Sequence, residues 1–353
     1  MGSNSWDSCV PPWSRDQCDS LGVGLRVQEG ETIYDFCWFP QMTATDPTSC
    51  CFASSSRAHP VHLWDACTGE LRATYRGYNE VDEVAAAYSL AFTPDGAQLY
   101  AGYDKRILVF DVTRPGRDYG TITCSGGPRK GEAKLPGIIS CMAFPPDSSS
   151  LAAGTYAGYV GTFDPRSPPH AQLQLLLHGH RGGLTQVSYT RDGQYLVTGA
   201  RQDDAVLVWD LRYADQALYR LERDTKSTNQ RISFSIEPCG RHLLTGGCSG
   251  AVRVFDLQTG NQVDELVIAE GDTVNGCDTH PFLSLLAVST GHRRFPLAVD
   301  SLADSEDDSS DSEEEGQQWG LKQDKDEMLE QDMCKLQQQQ SAHQQQQQQQ
   351  QQQ

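Results

Sequence analysis

Residues 199–210 read GARQDDAVLVWD: an arginine, two adjacent aspartates, then an alternating apolar run that closes on Trp-Asp. The alternation has the period of a strand. Taken alone, the two carboxylates suit acid–base chemistry, a metal, or plain architecture. Repetition helps to decide. An aromatic residue followed by Asp closes a β-rich run at Trp64-Asp65, Phe110-Asp111, Phe163-Asp164, Trp209-Asp210 and Phe255-Asp256, at spacings of 46, 53, 46 and 46 residues. Before four of these endings stands a matching turn, TPDG (93–96), PPDS (145–148), TRDG (190–193) and EPCG (237–240), each preceded in fixed register by an apolar residue: Phe92, Phe144, Tyr189 and Ile236. Proline or Asp-Gly at such a place suits a hairpin.

Each unit therefore reads strand, turn, strand, turn, strand. Such a unit cannot bury both faces of its sheet alone, whereas units stacked around an axis do. A period of about 40–45 residues with a Trp-Asp ending is the mark of an all-β propeller built from WD repeats. Residues 31–65 and 272–295 supply partial units, which makes six recognisable blades or part-blades. The expected organisation is an atypical, disordered N-terminal segment over 1–28, a propeller over 29–299 and a disordered tail over 300–353. That tail is an acid- and serine-rich run followed by glutamines, too poor in apolar surface to offset chain entropy. Its serines flanked by acids, Ser305, Ser309, Ser310 and Ser312, are candidates for phosphorylation, set against a merely solubilising role.

The formal net charge is −19, of which residues 300–335, with 14 acids and 3 bases, supply −11. An acidic chain does not coat nucleic acid by bulk charge, though a local basic patch remains compatible with it. The 12 cysteines are scattered without a C-x-x-C pair and are expected to be reduced, small buried hydrophobes. No stretch has the apolar core of a signal peptide, and none approaches the about 18 apolar residues of a membrane span. The chain is thus expected to be soluble and intracellular.

The acids at 203 and 204 acquire a place within the repeat. His180 from the loop before the first strand, Thr198 on the second, Asp203 in the next turn and Trp209 on the third stand where a buried hydrogen-bonded chain would brace a blade. Catalysis is the competing reading, but no second acid is spaced to work with Asp203. The pair His178 and His180 lacks a third metal ligand, and no nucleophile elbow, phosphate loop or H-E-x-x-H motif occurs. No enzyme activity, cofactor, metal or small-molecule substrate is expected.

The loops between second and third strands carry Arg57, then Tyr103, Lys105 and Arg106, then Tyr156, then Arg201, and finally Arg293 and Arg294, while Arg231 enters the fifth blade. Converging on one rim, cations and tyrosines would suit phosphates and unstacked bases. The alternative is that these cations pair with neighbours such as Asp203 and Asp104.

Longer stretches carry a resemblance: EGETIYDFCWF (29–39), ASSSRAHPVHLWDACTGELRA (53–73), YSLAFTPDGAQLYAGYDKRILVFDVTRPGRD (88–118), GIISCMAF (137–144), GHRGGLTQVSYTRDGQYLVTGARQDDAVLVWDLR (179–212), TNQRISFSIEPCGRHLLTGGCSGAVRVFD (228–256) and NGCDTHPFLSLLAVSTGHRRF (275–295). In this order they resemble the telomerase Cajal body protein family. The resemblance implies a nuclear RNA-binding scaffold that binds small Cajal body RNAs and telomerase RNA and associates with the dyskerin-containing particle. It also implies delivery of these particles to Cajal bodies and of telomerase to telomeres, some cytoplasmic protein, and recruitment of DNA-repair factors. Arg57, Lys105, Arg201, Arg231 and Arg293 fall where the family pattern has basic loop residues. The family expectation is seven blades, and residues 1–28 do not resemble its leading repeat. A WD scaffold that binds only proteins or peptides is the rival reading.

Overall fold

The computed structural model describes residues 23–124, 134–165 and 173–292, all of which fall within one compact unit. Five four-stranded antiparallel meanders follow one another along the chain. The first holds β1 (Ile33–Trp38), β2 (Cys51–Ser56), β3 (Val61–Asp65) and β4 (Leu71–Tyr75); the second, β5 (Ser89–Phe92), β6 (Gln98–Gly102), β7 (Arg106–Asp111) and β8 (Tyr119–Thr123). The third holds β9 (Ile139–Ala143), β10 (Leu151–Thr155), β11 (Tyr159–Phe163) and β12 (Leu173–His178). The fourth holds β13 (Leu184–Tyr189), β14 (Tyr195–Ala200), β15 (Ala205–Asp210) and β16 (Tyr219–Glu222). The fifth holds β17 (Phe234–Ile236), β18 (His242–Thr245), β19 (Ala251–Asp256) and β20 (Gln262–Val267), and a two-stranded sheet of β21 (Val274–Thr279) and β22 (Leu286–Thr290) follows. This is a WD β-propeller architecture.

The repeat predicts three strands per unit; the structure has four. The additional strands lie at the outer edge, where β20 is exposed at every position and β4 at its first two. An edge strand facing solvent carries little apolar alternation, so its period is faint in the sequence.

The aromatic-Asp ending does two separate jobs. Phe110, Phe163, Trp209 and Phe255 are each at most 3% exposed and pack into the cluster formed with the preceding sheet. The aspartate caps the turn into the fourth strand: Asp65 accepts the Cys67 and Thr68 N–H groups at 2.7 and 2.8 Å, and Asp111, Asp210 and Asp256 accept the N–H two residues on. This is the Asx-turn that makes Asp a turn residue. Cys51, Cys124, Cys141 and Cys277 are buried thiols packed among apolar neighbours, and burial raises each of them above the ordinary thiol value.

Sheet-to-sheet contact runs through the first strands. The side-chain amide of Gln186 on β13 both donates to Phe234 O at 2.7 Å and accepts from Phe234 N at 2.9 Å on β17. One outer face differs from the rest. On the side of the first sheet away from the second, Ile33, Phe36 and Trp38 are 52%, 58% and 53% exposed among the described residues. Trp64, on the same face, is the one member of the aromatic series that is only half-buried.

Candidate nucleic-acid interface

Two features sit close together on the fourth sheet, a sealed polar network and an open rim. In the network, His180 Nδ1 lies 2.8 Å from Asp203 Oδ2, His180 Nε2 lies 2.7 Å from Thr198 Oγ1, and Trp209 Nε1 donates to Thr198 Oγ1 at 2.9 Å. Trp Nε1 only donates and a carboxylate only accepts, so the inventory closes with His180 donating from Nδ1 and the Thr198 hydroxyl donating to Nε2. Burial alone would push the Asp203 carboxyl up, but hydrogen bonds from His180 and the Arg181 N–H hold it far below the usual carboxylate range. His180 is 4% exposed, Thr198 and Asp203 0%, and Trp209 2%. No substrate reaches these atoms, so the arrangement braces a blade.

The first sheet solves the same problem with different residues. Ser54 and Trp64 occupy the places of Thr198 and Trp209, and Glu29 stands in for the histidine. Glu29 accepts from Ser54 Oγ, from Trp64 Nε1 at 3.2 Å and from His62 Nδ1 at 3.0 Å, while Trp64 also donates to Ser54 Oγ at 2.8 Å. Burial raises the Glu29 carboxyl, yet these hydrogen bonds hold it below its ordinary value. Its stabilising contribution is therefore present above the unfolded value of about 4.3 and is lost on acidification through the lower folded value. Glu29→Ala is expected to destabilise the protein by about 1–3 kcal/mol at pH 7, because it takes the acceptor from Ser54, Ser56 and His62. Urea midpoints of the two proteins check this.

In a meander the β2–β3 type of connection and the approach to each first strand share one end of the sheet. All five second-to-third connections contain a residue in the left-handed region: Ala58 (φ 59), Lys105 (φ 55), Gly158 (φ 83), Gln202 (φ 51) and Gly250 (φ 80). Three of them are not glycine, and each such residue costs about 1–2 kcal/mol. Strain of this kind concentrates at functional sites.

The structure sorts the rim candidates. Arg57 is exposed, with its N–H donating to Thr32 O at 2.9 Å. Lys105 Nζ stands 3.6 Å from Asp104, with both side chains 57% exposed, a pairing weak enough to give way to a phosphate. Tyr156 is 41% exposed. Arg201, expected among the cations of the rim, is half-buried, with its guanidinium 5.4 Å from the centre of the Tyr156 ring. It reaches back over the aromatic face because a guanidinium stacks there while shedding water.

Two assignments are corrected. Tyr103 is 3% exposed and belongs to the core between the first and second sheets, where burial holds its phenol well above the usual value, so it stacks on no ligand. Arg106 is half-buried, donates to Tyr78 O at 2.8 Å and lies 5.6 Å from the Tyr103 ring centre. Arg293, Arg294 and the serines at 305, 309, 310 and 312 lie outside the described residues.

Arg231 is placed differently again. Its guanidinium donates to Tyr34 O at 3.2 Å, to Ser140 O at 3.5 Å and to Thr185 O at 3.2 Å, and stands 3.7 Å from Asp35 Oδ1. It thus ties the first strands of three sheets. Asp35 also accepts the Leu90 N–H at 2.9 Å, and burial raises its carboxyl although Arg231 opposes the shift. Arg223 escaped sequence reading altogether: it is 3% exposed and donates to Ala200 O at 2.9 Å and Ile232 O at 3.2 Å, and burial lowers its guanidinium to about 10. Nothing in LERDT distinguishes it from a surface arginine.

Comparison with known proteins follows the same architecture. The WD domain, G-beta repeat family matches residues 69–111 and 171–210. Telomerase Cajal body protein 1 of Mus musculus is 42% identical over 285 residues, and that of Homo sapiens 43% over 284, in each case across 78% of this chain. Guanine nucleotide-binding protein negative regulator 1 of Schizosaccharomyces pombe is 32% identical over 288 residues, which cover 80% of this chain and 71% of that protein. Over most of its length the chain is thus similar to telomerase Cajal body protein 1 of mammals. It spans about half the length of the mammalian relatives, 52% and 50% of the two named. Like those relatives it matches the WD repeat model, and no catalytic family is indicated.

Proposed function

We propose that the chain is an RNA-binding WD scaffold of telomerase and Cajal body ribonucleoproteins, acting in the nucleus and its Cajal bodies. The observation that carries this reading is the rim, where Arg57, Lys105 and Tyr156 are exposed on loops held in left-handed backbone, on a chain that is otherwise acidic. Cations there meet phosphates, and the aromatic ring offers a face to an unstacked base. Small Cajal body RNAs and telomerase RNA are the ligands in this reading. The dyskerin-containing particle, telomerase and DNA-repair factors are its protein partners, and telomeres a further destination.

The test is a titration of a small terminal-loop RNA at fixed salt with the double variant Arg57→Glu, Lys105→Glu. Affinity is expected to fall about ten-fold or more, and the log–log salt dependence to flatten by about 2. The unfolding midpoint stays within about 0.5 kcal/mol, since both side chains are exposed. Unchanged affinity sinks the reading. The alternative, a scaffold for proteins or peptides without direct RNA recognition, is favoured by the commitment of Arg106, Arg201 and Arg231 to internal carbonyls and rings. Nuclear partners that survive RNase without RNA enrichment would support it.

A further inference from the structure

At the opposite end of the sheets from the rim, the first-to-second strand turns follow one design in two blades. Thr93 donates to Asp95 at 2.6 Å and Thr190 to Asp192 at 2.5 Å, and each threonine hydroxyl accepts the N–H of the residue that opens the next strand, Gln98 or Tyr195. In the fifth sheet the same turn reads EPCGRH (237–242), and all three positions have changed together: Glu237 for the threonine, Cys239 for the aspartate and His242 for the strand opener. A carboxylate, a thiol and an imidazole have replaced a hydroxyl–carboxylate brace.

These three side chains converge. His242 Nδ1 lies 2.6 Å from Glu237 Oε2, Cys239 Sγ lies 3.2 Å from the same oxygen, and the three donor atoms all fall within 4.8 Å of one another. The backbone beneath them is closed by Glu237 N donating to His242 O at 2.9 Å and Gly240 N to Glu237 O at 2.7 Å. Gly240 adopts φ 77, a left-handed conformation that lets the hairpin turn this tightly. Two neighbouring cations have partners of their own: Arg241 Nη2 is 3.3 Å from Asp256 Oδ2, and Arg191 Nη1 donates to Pro238 O at 2.8 Å. Cys239 and Gly240 also border a groove of about 540 Å³ shared with Arg191, Asp192 and Tyr219.

We propose that Glu237, Cys239 and His242 form a divalent transition-metal site, suited to Zn²⁺, whose fourth position opens toward this groove. The donor set selects the ion. Thiolate and imidazole suit zinc, whereas Mg²⁺ and Ca²⁺ require oxygen ligands. Ligands at about 2.0–2.3 Å from a tetrahedral zinc stand roughly 3.3–3.8 Å apart. The two hydrogen bonds within the triad need only open slightly, by side-chain rotation on a fixed turn, to admit the ion. Binding deprotonates the Cys239 thiol and releases that proton to solvent. The site is independent of the RNA reading, because it lies at the other end of the sheets from the rim.

The experiment uses the full chain, kept reduced by a phosphine that does not bind the metal, titrated with Co²⁺ as a spectroscopic stand-in for Zn²⁺. A thiolate-to-cobalt charge-transfer band with tetrahedral d–d intensity is expected, saturating at one equivalent per chain and removed by Zn²⁺. Cys239→Ser is expected to abolish the charge-transfer band. His242→Ala weakens binding by at least about ten-fold, since even outer-shell partners of a metal are worth that much. A triple variant, Glu237→Thr, Cys239→Asp, His242→Gln, rebuilds the brace of the second sheet, keeps the fold and is expected to show no band. No charge-transfer band with the parent protein, or a band that survives in the Cys239→Ser or triple variant, overturns the proposal.

Discussion

Asp203→Ala is expected to destabilise the protein by about 3–5 kcal/mol, the largest effect of any single polar truncation in the fourth sheet. The side chain is wholly buried and accepts from His180 and from the Arg181 N–H at 3.1 Å, with Arg220 Nη2 3.5 Å away. Removing it leaves a ring N–H and a backbone N–H without their acceptor in a site closed to bulk water, while Arg220 keeps Asp204, and each donor that loses a carboxylate costs about 1.5–3 kcal/mol. Adding His180→Ala to Asp203→Ala is expected to cost much less than the sum of the two single variants, because residues of one network do not add. Urea midpoints of the parent, two single variants and the double variant close the cycle; a loss below about 1 kcal/mol for Asp203→Ala would show that water replaces the carboxylate.

The same carboxylate sets a pH dependence. Its folded value is depressed, so its contribution is complete above the unfolded value of about 3.9 and disappears as pH falls through the folded value. Acid unfolding of the parent is therefore expected to steepen below about pH 4, and that component is missing in Asp203→Asn. An unaltered acid limb in the variant would refute the assignment.

Arg231→Glu is the second large effect, about 1–3 kcal/mol, because the guanidinium is partly open to solvent while the carbonyls it serves are not. The substitution removes donors to carbonyls on β1, β9 and β13 and sets a second carboxylate against Asp35, whose surroundings already disfavour its charge. Adjacent like charges disfavour each other's ionised form. This result separates Arg231 from Arg57 and Lys105: reversal at the rim pair is expected to weaken RNA and spare the fold, whereas reversal at Arg231 lowers the thermal midpoint before any RNA is added. Equal midpoints for Arg231→Glu and the parent would return Arg231 to the rim.

The repeat made the blades legible because Phe110-Asp111, Trp209-Asp210 and Phe255-Asp256 each satisfy two physical demands at once, an apolar plug against the preceding sheet and a cap on the following turn. Such a pair recurs wherever the blade recurs. His180, Thr198, Asp203 and Trp209 were legible for the same reason, since each stands at a fixed offset within one repeat. Glu29 was not, because it comes from the chain before β1 and reaches Ser54, His62 and Trp64 from 25 to 35 residues away. The outer strands were faint because solvent asks little of their side chains.

The rim shows where sequence reasoning ends. Tyr103, Lys105 and Arg106 are near neighbours in one loop, yet the first is core, the second exposed and the third turned back onto a carbonyl. Their direction depends on the left-handed turn at Lys105 and on the space beside the ring, neither of which is written in local composition. By itself the sequence determined the repeat, the three inner strands of each unit and the residues that close their turns, because those follow from period and local chemistry. Only the tertiary structure decided which cations reach solvent, which clasp the first strands together, and that Glu237, Cys239 and His242 meet. Those outcomes depend on competition among side chains for burial, hydrogen bonds and water in three dimensions.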